Sequence, residues 1–379
     1  MVCNTLKGLV ALGHEVCLLS LNARGTQCAQ PDDELAGRIN FQSFNIDISV
    51  SVMDVAINLF SSTSFNIDRF YDESFEKMLA REVSSTNYDI IQFEGLLMSL
   101  YLPVVRKNSP ARLIFRAHNI ESQLWERMAL QKTDPFKKSY LRMHARRIKN
   151  YEMQQLNRFD AILTFTGQDH KTLLGYDVKV PVEVLRVGVD MSAYVVDQSK
   201  TEFPSLFFLG SLDWLPNREG MEWFLDNFSK SLADGELPAK LYVAGNDMPE
   251  AFDDYEVMGK IFIQGEVDDA LEFVNSKSIM IVPLLSSGGM RVKIVEGMAM
   301  QKCIISTALG AEGIGYTHGD DILIANNRNE FYNAILRCIK DEAYCKRIGS
   351  NARKLIEKEH DINFVTAKLI SFYQMCLDA

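Results

Sequence analysis

The residues best suited to chemistry lie between Ser286 and Gly313, in the stretch SSGGMRVKIVEGMAMQKCIISTALGAEG. An apolar run, IMIVPLL, leads to a glycine pair (288–289), and a helix is predicted at 289–301, with Arg291, Lys293 and Glu296 on it. The free N–H groups and the positive dipole end of a helix N-terminus bind phosphate, and glycine lets a ligand approach the backbone. Lys293 and Glu296 are three residues apart and share one helix face. The pattern therefore predicts a nucleoside diphosphate site.

The charges in this stretch indicate distinct roles. Arg291 and Lys293 would hold the diphosphate, and Glu296 would accept hydrogen bonds from ribose hydroxyls. The alternatives are solvated surface cations and a simple Lys293–Glu296 ion pair, although the apolar neighbours of Glu296 favour a carboxylate with a partner. The backbone of Gly288, Gly289 and Met290 is expected to lie nearest the bound nucleotide.

A second group of polar residues follows strand-like runs in the first half of the chain. Glu94 ends YDIIQFEG, and His118 ends ARLIFRAH, which also contains Arg116. The carboxyl ends of parallel strands share one edge of a sheet, where ligands bind, so Glu94, Arg116 and His118 are candidate ligand contacts. The alternatives are a structural histidine, a helix first-turn carboxylate for Glu94, and an Arg116–Glu121 pair.

A third group lies in FLGSLDWLPN, after the first strand-like run of the second half. Gly210, Ser211 and Asn217 are candidate ligand contacts. Asn217 follows Pro216 and could instead cap the next helix, and Trp214 could simply pack.

Two series of elements must position these residues. Short β-rich runs alternate with longer helical patterns, which is typical of parallel sheets with crossover helices. The second series starts at SLFFLGS, after the polar stretch VDMSAYVVDQSKTEFPS. We predict an N-terminal domain at 1–195, a C-terminal domain at 196–360, and a helix at 361–379 that packs back on the first domain.

The first series opens on a helical pattern, MVCNTLKGLVALGH, where such a domain normally opens on a strand and a glycine-bearing loop. We therefore expect either that Met1 is an internal methionine or that the first domain lacks its first strand.

Bulk properties exclude several classes of protein. A length of 379 residues with 47% hydrophobic content suits two or three domains of about 150 residues, and a net charge of -10 argues against nucleic acid as a partner. Seven cysteines without CxxC spacing predict reduced thiols in the cytoplasm. The sequence lacks HExxH, GxSxG, Walker and GxGxxG motifs, so we expect neither a metal nor a cofactor.

A local basic patch stands out from this acidic background. Arg142, Arg146 and Lys149 recur at helical spacing and would form one cationic stripe. Contact with anionic lipid or a lipid diphosphate acceptor, at the inner face of the membrane, and a solvated helix face both remain open. The residues of this patch are Lys137, Lys138, Arg142, Arg146 and Lys149.

Five segments, in chain order, resemble retaining glycosyltransferases of the two-Rossmann type, specifically group 1 or family 4. They are FRAHNIESQLWERMA (115–129), FTGQDHKTLL (165–174), VGVD (187–190), FLGSLDWLPNREGMEWF (208–224) and GGMRVKIVEGMAMQKCIISTALGAEGI (288–314). The resemblance implies an α/β GT-B fold, with two Rossmann-like domains facing across a cleft and the first apparently lacking its first strand. It implies metal-independent transfer of a hexosyl group, with retention, from a nucleotide-diphosphate sugar to a glycan or lipid-linked glycan hydroxyl.

The resemblance also assigns roles and shows departures. It implies that residues 1–195 form the acceptor-side domain, with Glu94 and Arg116 on the acceptor side. It implies that residues 196–360 form the nucleotide-sugar-binding domain, with Gly210, Ser211 and Asn217 on the donor side. His118 matches a histidine that lies against the transferred sugar. Glu296 matches the second glutamate of the family's motif, whereas Gly288 replaces the first. Ser211 and Asn217 stand where an arginine and a lysine are usual, so we expect Arg291 and Lys293 to take over the phosphate contact.

Two other functions fit the same architecture. A nucleotide-sugar epimerase would act without an acceptor. A glycosyltransferase-like binding subunit without activity is the second alternative, since Gly288 and the expected missing strand depart from the family pattern.

Overall fold

The computed structural model describes residues 2–23, 34–48, 65–131, 134–286 and 291–379. They form two units, one of residues 1–186 and 365–379 and the other of residues 187–364. The strands are β1 (Cys17–Ala23), β2 (Asn40–Ile46), β3 (Ile90–Glu94), β4 (Arg112–Ala117), β5 (Ala161–Thr164), β6 (Val182–Val184), β7 (Ser205–Leu209), β8 (Lys240–Ala244), β9 (Ile261–Gly265), β10 (Ile279–Val282), β11 (Cys303–Ser306) and β12 (Leu323–Ile324).

The helices lie between and after these strands. They are α1 (Val2–Ala11), α2 (Phe65–Asp68), α3 (Glu73–Ser85), α4 (Leu102–Asn108), α5 (Glu121–Gln131), α6 (Pro135–Leu156), α7 (Gly167–Leu174), α8 (Leu215–Ala233), α9 (Ala270–Asn275), α10 (Val292–Ala299), α11 (Arg328–Lys340), α12 (Glu342–Glu359) and α13 (Ile362–Asp378). None of the helices in the described residues combines the length and apolar character that crossing a bilayer requires.

The first unit contains two parallel sheets. One has four strands in the order β3-β4-β5-β6, and the other pairs β1 with β2. In β4, Leu113 joins the core that contains Phe75 and Val105, whereas Ile114 joins the core that contains Leu369. Since neighbouring strand residues point to opposite faces, the two cores cover the two faces of the four-stranded sheet.

The second unit contains one six-stranded parallel sheet in the order β12-β11-β10-β7-β8-β9. Phe208 belongs to the core on one face, and its neighbour Phe207 belongs to the core on the other. The strands are therefore buried on both faces, which explains their continuous apolar sequences. The strand order reverses direction between β7 and β10.

The last helix packs against α1 in the first unit. An ideal Cβ on Gly8 of α1 would lie 2.0 Å from Thr366 Oγ1 of α13, so a hydrogen at this position permits the close approach. Tyr373 of α13 donates a hydrogen bond of 2.7 Å to Gln92 on β3. The domain limits at 1–195, 196–360 and 361–379 stay predictions.

Candidate functional site

The donor-side residues meet where the strand order of the second unit reverses. In a parallel sheet of this kind, ligands bind outside the carboxyl ends of the strands at such a switch point. The loop after β7 carries Gly210 and Ser211, and the chain after β10 leads into α10. The helix predicted at 289–301 is shorter in the structure, because Arg291 has an extended backbone (φ -91°, ψ 99°) and is the N-cap of a helix that begins at Val292.

A chain of hydrogen bonds joins three of the predicted residues. Lys293 Nζ donates to Asn217 Oδ1 over 2.6 Å, and Asn217 Nδ2 donates to the backbone oxygen of Ser211 over 2.7 Å. Asn217 is buried and is not a helix cap, since the N-cap of α8 is Trp214. Asn217 therefore holds the ammonium of Lys293 beside the loop after β7.

Gly210 provides the space for this arrangement. An ideal Cβ at Gly210 would lie 2.9 Å from Lys293 Nζ and 3.2 Å from Asn217 Nδ2. The end of β8 also lies close to the loop after β7. A Cβ on Gly245, whose φ is +146°, would lie 2.0 Å from the backbone oxygen of Gly210. The ends of β7 and β8 thus meet through backbone alone.

The electrostatic state of Lys293 is unusual. Burial lowers the pKa of its ammonium to about 7, and the nearby charge of Arg291 acts in the same direction. Its Nζ lies 4.3 Å from the ring centroid of Phe208, and the guanidinium of Arg291 lies 4.9 Å from the ring of Trp214. Two cations in close proximity, one of them desolvated, make a site that a dianion would stabilise.

Glu296 has a partner that the sequence did not indicate. Tyr194 donates a hydrogen bond of 3.2 Å to Glu296 Oε1, and Arg353 Nη1 donates to the backbone oxygen of Tyr194 over 3.0 Å. Desolvation raises the pKa of the Glu296 carboxyl, and the bond from Tyr194 partly offsets this. Lys293 and Glu296 therefore have different partners, although they share one helix face as predicted.

The residues predicted for the acceptor side come together in the first unit. His118 Nε2 lies 2.6 Å from Glu94 Oε2, and Arg116 Nη1 donates to Glu94 Oε1 over 3.4 Å. Arg116 is 1% exposed and also donates to Thr5 Oγ1 of α1 over 2.9 Å. Arg116 thus pairs with Glu94, and the alternative pair with Glu121 is not formed.

Glu94 is held in its charged form. Burial alone would raise the pKa of its carboxyl, but the hydrogen bond with His118 and the charge of Arg116 outweigh burial, and the pKa is lowered. A 2.6 Å hydrogen bond from Gln92 Nε2 acts in the same direction. Glu94 therefore orients the imidazole of His118.

Three predicted residues, Gly288, Gly289 and Met290, lie outside the described residues. Among the cations of the basic patch, Arg142, Arg146 and Lys149 are exposed on α6 as the helical spacing predicts. The ammonium of Lys149 lies 4.9 Å from the ring of Tyr176.

Three thiols that are remote in sequence converge in the second unit. The sulfurs of Cys303, Cys338 and Cys345 all lie within 4.8 Å of one another, and the three side chains are buried. Their spacing resembles no metal motif, so this cluster could not be predicted from the sequence. All three belong to the apolar core, together with Ile305 and Ile335.

Two family models cover the two units. Residues 1–193 match the model for glycosyltransferase family 4, and residues 203–341 match a model for group 1 glycosyl transferases. The chain belongs to glycosyltransferase family 4. This transferase is therefore an enzyme of the class that the sequence resemblance implied.

Relatives and solved structures agree with this assignment. An uncharacterised 44.6 kDa protein from the cps region of Klebsiella pneumoniae is 25% identical over 294 residues, which are 74% of this chain and 73% of the relative. Sucrose-phosphate synthase from Thermosynechococcus elongatus has 14% identity and a TM-score of 0.72, over 99% of this chain and 92% of that one. Anabaena HepE, solved with UDP and glucose, has 13% identity and a TM-score of 0.65, over 96% and 100% of the two chains. The GT-B fold expectation is confirmed.

Proposed function

We propose that this glycosyltransferase moves a hexosyl group from a nucleotide-diphosphate sugar to a hydroxyl of a glycan or lipid-linked glycan, with retention and without a metal or cofactor. The observation that carries the proposal is Lys293, held by Asn217 at the start of α10, where the sheet of the second unit reverses its strand order. The structure of HepE with UDP and glucose supports this choice of donor, and the cps-region relative supports a role in polysaccharide synthesis.

The chemistry follows from the leaving group. As the bond between the anomeric carbon and the phosphate oxygen breaks, negative charge develops on the diphosphate. Lys293, Arg291 and the N-terminus of α10 stabilise that charge in a partly desolvated site. Glu296 accepts hydrogen bonds from the ribose. The acceptor hydroxyl attacks the same face of the sugar, and its proton passes to a phosphate oxygen of the departing diphosphate.

The cluster in the first unit supplies the remaining polar groups. Glu94 orients His118 through the 2.6 Å contact, and His118 then donates to or accepts from a hydroxyl of the transferred sugar. Arg116 fixes Glu94 from the other side. In this proposal His118 is a catalytic residue, whereas Glu94 and Arg116 are positioning residues on the acceptor side.

The test is substitution of Lys293 by alanine. Loss of one charge-stabilising donor lowers turnover by about 100- to 1,000-fold in comparable sites, and we expect a fall of that size in sugar transfer. The matched control is Lys346→Ala, an exposed lysine on α12 that pairs with Glu342. Unchanged transfer by Lys293→Ala would contradict the proposed role.

The donor is identified by thermal shift with UDP-, GDP- and ADP-sugars, since a ligand that binds only the folded state raises the melting temperature. Product analysis without an acceptor distinguishes transfer from epimerisation. Binding of the donor without any turnover would indicate a non-catalytic subunit.

The exposed stripe of Arg142, Arg146 and Lys149 completes the proposal. We propose that it contacts anionic lipid, which would bring a lipid-linked acceptor to the protein. The overall charge of -10 makes this stripe a local exception on an acidic chain.

A further inference from the structure

The three converging thiols of the second unit come from three different elements. Cys303 begins β11, Cys338 lies on α11, and Cys345 lies on α12. The Sγ atoms of Cys303 and Cys338 are 3.6 Å apart, and all three sulfurs lie within 4.8 Å of one another. We call this group the thiol cluster.

The triangle of sulfurs in the thiol cluster has the size that a bound metal ion requires. A metal ion at about 2.3 Å from three sulfurs in one plane holds those sulfurs about 4.0 Å apart. That separation lies between the 3.6 Å of Cys303 and Cys338 and the 4.8 Å limit for the whole cluster. Coordination by all three thiols therefore fits the observed spacing.

A buried cation lies beside the thiol cluster. Lys302 is 4% exposed, and its ammonium donates to the backbone oxygens of Asn275 over 3.2 Å and Lys277 over 2.9 Å. Its interactions within the described residues include no carboxylate, whereas a negative charge on Cys345 would stabilise it. A buried charge is costly unless it is paired, so a thiolate in the cluster would supply the missing partner of Lys302.

Two further groups near the thiol cluster favour negative charge on the sulfurs. The buried hydroxyl of Tyr344 has no hydrogen-bond partner in the described part of the chain. The guanidinium of Arg337 lies 3.8 Å from the ring centroid of Tyr344, and its charge favours a thiolate at Cys338. The charges of Asp341 and Glu342 act against thiolates, but both residues are exposed, so water screens them.

A small cavity connects the thiol cluster with the protein surface. It has a volume of about 50 Å³ and is lined by Lys302, Cys303 and Cys345 and by the exposed residues Glu342 and Lys346. A metal ion can therefore reach two of the three sulfurs through this cavity.

We propose that the thiol cluster binds one Cu(I) ion through the Sγ atoms of Cys303, Cys338 and Cys345. Thiolates select Cu(I) and zinc among the common metals, and structural zinc takes four ligands. Within the described residues this group of metal-ligating side chains has three members, which suits the trigonal coordination of Cu(I). Coordination replaces three S–H bonds by three S–Cu bonds, and the three protons pass to solvent.

The proposed copper site is separate from the donor site. Cys303 begins β11, whereas ligands of such a sheet bind beyond the carboxyl ends of its strands. The ion would join β11 to α11 and α12 and take no part in sugar transfer. One monovalent ion with three thiolates leaves two negative charges, which the positive charges of Lys302 and Arg337 balance.

The experiment titrates the reduced full chain with Cu(I), without oxygen, in competition with a coloured Cu(I) chelator. X-ray absorption at the copper edge then counts the sulfurs around the bound ion in the unmodified chain. The variants are Cys303→Ala, Cys338→Ala and Cys345→Ala, each made separately. The matched control is the double variant Cys17→Ala with Cys376→Ala, which removes two thiols of the first unit.

We expect one Cu(I) per chain with three sulfur neighbours at about 2.3 Å. Each substitution in the cluster should weaken binding at least about 100-fold, since a lost ligand costs more than a lost outer-shell contact, and the control should bind as the unmodified chain does. Fewer than three sulfurs around the ion would overturn the proposal. So would retention of the ion by the cluster variants, tighter binding of zinc than of Cu(I), or failure of the unmodified chain to compete for Cu(I).

The sulfur count is measured on the unmodified chain, so it does not depend on how well the variants fold. These measurements need no nucleotide sugar and are therefore independent of the proposed reaction.

Discussion

Lys293 combines a partly buried position with a charge that the proposed reaction needs. Its pKa of about 7 means that the ammonium loses its proton near neutral pH in the free protein. A diphosphate beside it would favour the charged form and raise that pKa. Binding of the donor and protonation of Lys293 should therefore be coupled.

We predict that donor binding takes up close to one proton at pH 8 and almost none at pH 6. With the free pKa at about 7, Lys293 is mostly neutral at pH 8 and must be protonated on binding, which weakens affinity about tenfold per pH unit above 7. Calorimetry of nucleotide-sugar binding in buffers of different ionisation enthalpy measures the uptake.

The control for this prediction is Lys293→Met. It should bind weakly, with no proton uptake and no such pH dependence. The fold should be retained, because the charged form of Lys293 destabilises the folded state. Its pKa is lowered from 10.5 to about 7, so this cost is complete below pH 7 and decreases as the pH rises to 10.5. Proton uptake that persisted in Lys293→Met would assign the coupling to another group.

Sequence reasoning selected candidate residues of the predicted donor site but not their hydrogen-bond partners. Arg291, Lys293 and Glu296 could be selected because their spacing follows helix geometry within one short segment. Asn217 contacts Lys293 across 76 residues and Tyr194 contacts Glu296 across 102, and local periodicity carries no information at that range. Asn217 was predicted only because it follows the first strand-like run of the second half, and Tyr194 was not predicted.

At the scale of elements, the contact between α1 and α13 depends on one glycine. We predict that Gly8→Ala destabilises the first unit by about 1–3 kcal/mol, since its methyl group would overlap Thr366 Oγ1. Chemical denaturation measures the change.

The matched test is the double variant Gly8→Ala with Thr366→Ala. Removing the hydroxyl and methyl of Thr366 makes space for the new methyl, so the double variant should lose less stability than Gly8→Ala alone. If the two losses simply add, the α1–α13 contact is not the cause.

Element type could be predicted from periodicity, whereas sheet order could not. The alternation of apolar runs and helical patterns indicated parallel sheets, and the observed strands follow it. The start of α10 was placed three residues too early, because the extended backbone of Arg291 leaves no mark in the sequence pattern. The reversal of strand order between β7 and β10 depends on tertiary packing.

At the scale of the whole molecule, one face of α6 is positively charged although the protein has a net negative charge. We predict that the protein sediments with vesicles that contain anionic lipid and that 0.5 M salt releases it, because salt screens exposed charges. Each cation near such a surface contributes about 1 kcal/mol, so neutralising three should weaken binding roughly 100-fold.

The variant for this test is the triple glutamine substitution of Arg142, Arg146 and Lys149. The control changes the net charge equally but on another surface, by glutamine substitution of Lys346, Lys354 and Lys358 on α12. Equal binding by both variants would favour a solvated helix face.

The meeting of β7 and β8 through Gly210 and Gly245 has a consequence for how this enzyme can change over generations. Neither glycine carries a side chain that could recognise a ligand, yet one added carbon at Gly245 would collide with backbone, and one at Gly210 would approach Lys293 Nζ to 2.9 Å. In a library of all substitutions, we expect these two codons to tolerate glycine alone, whatever donor or acceptor is selected for. Substitutions at the surrounding side chains can change specificity, while Gly210 and Gly245 are retained.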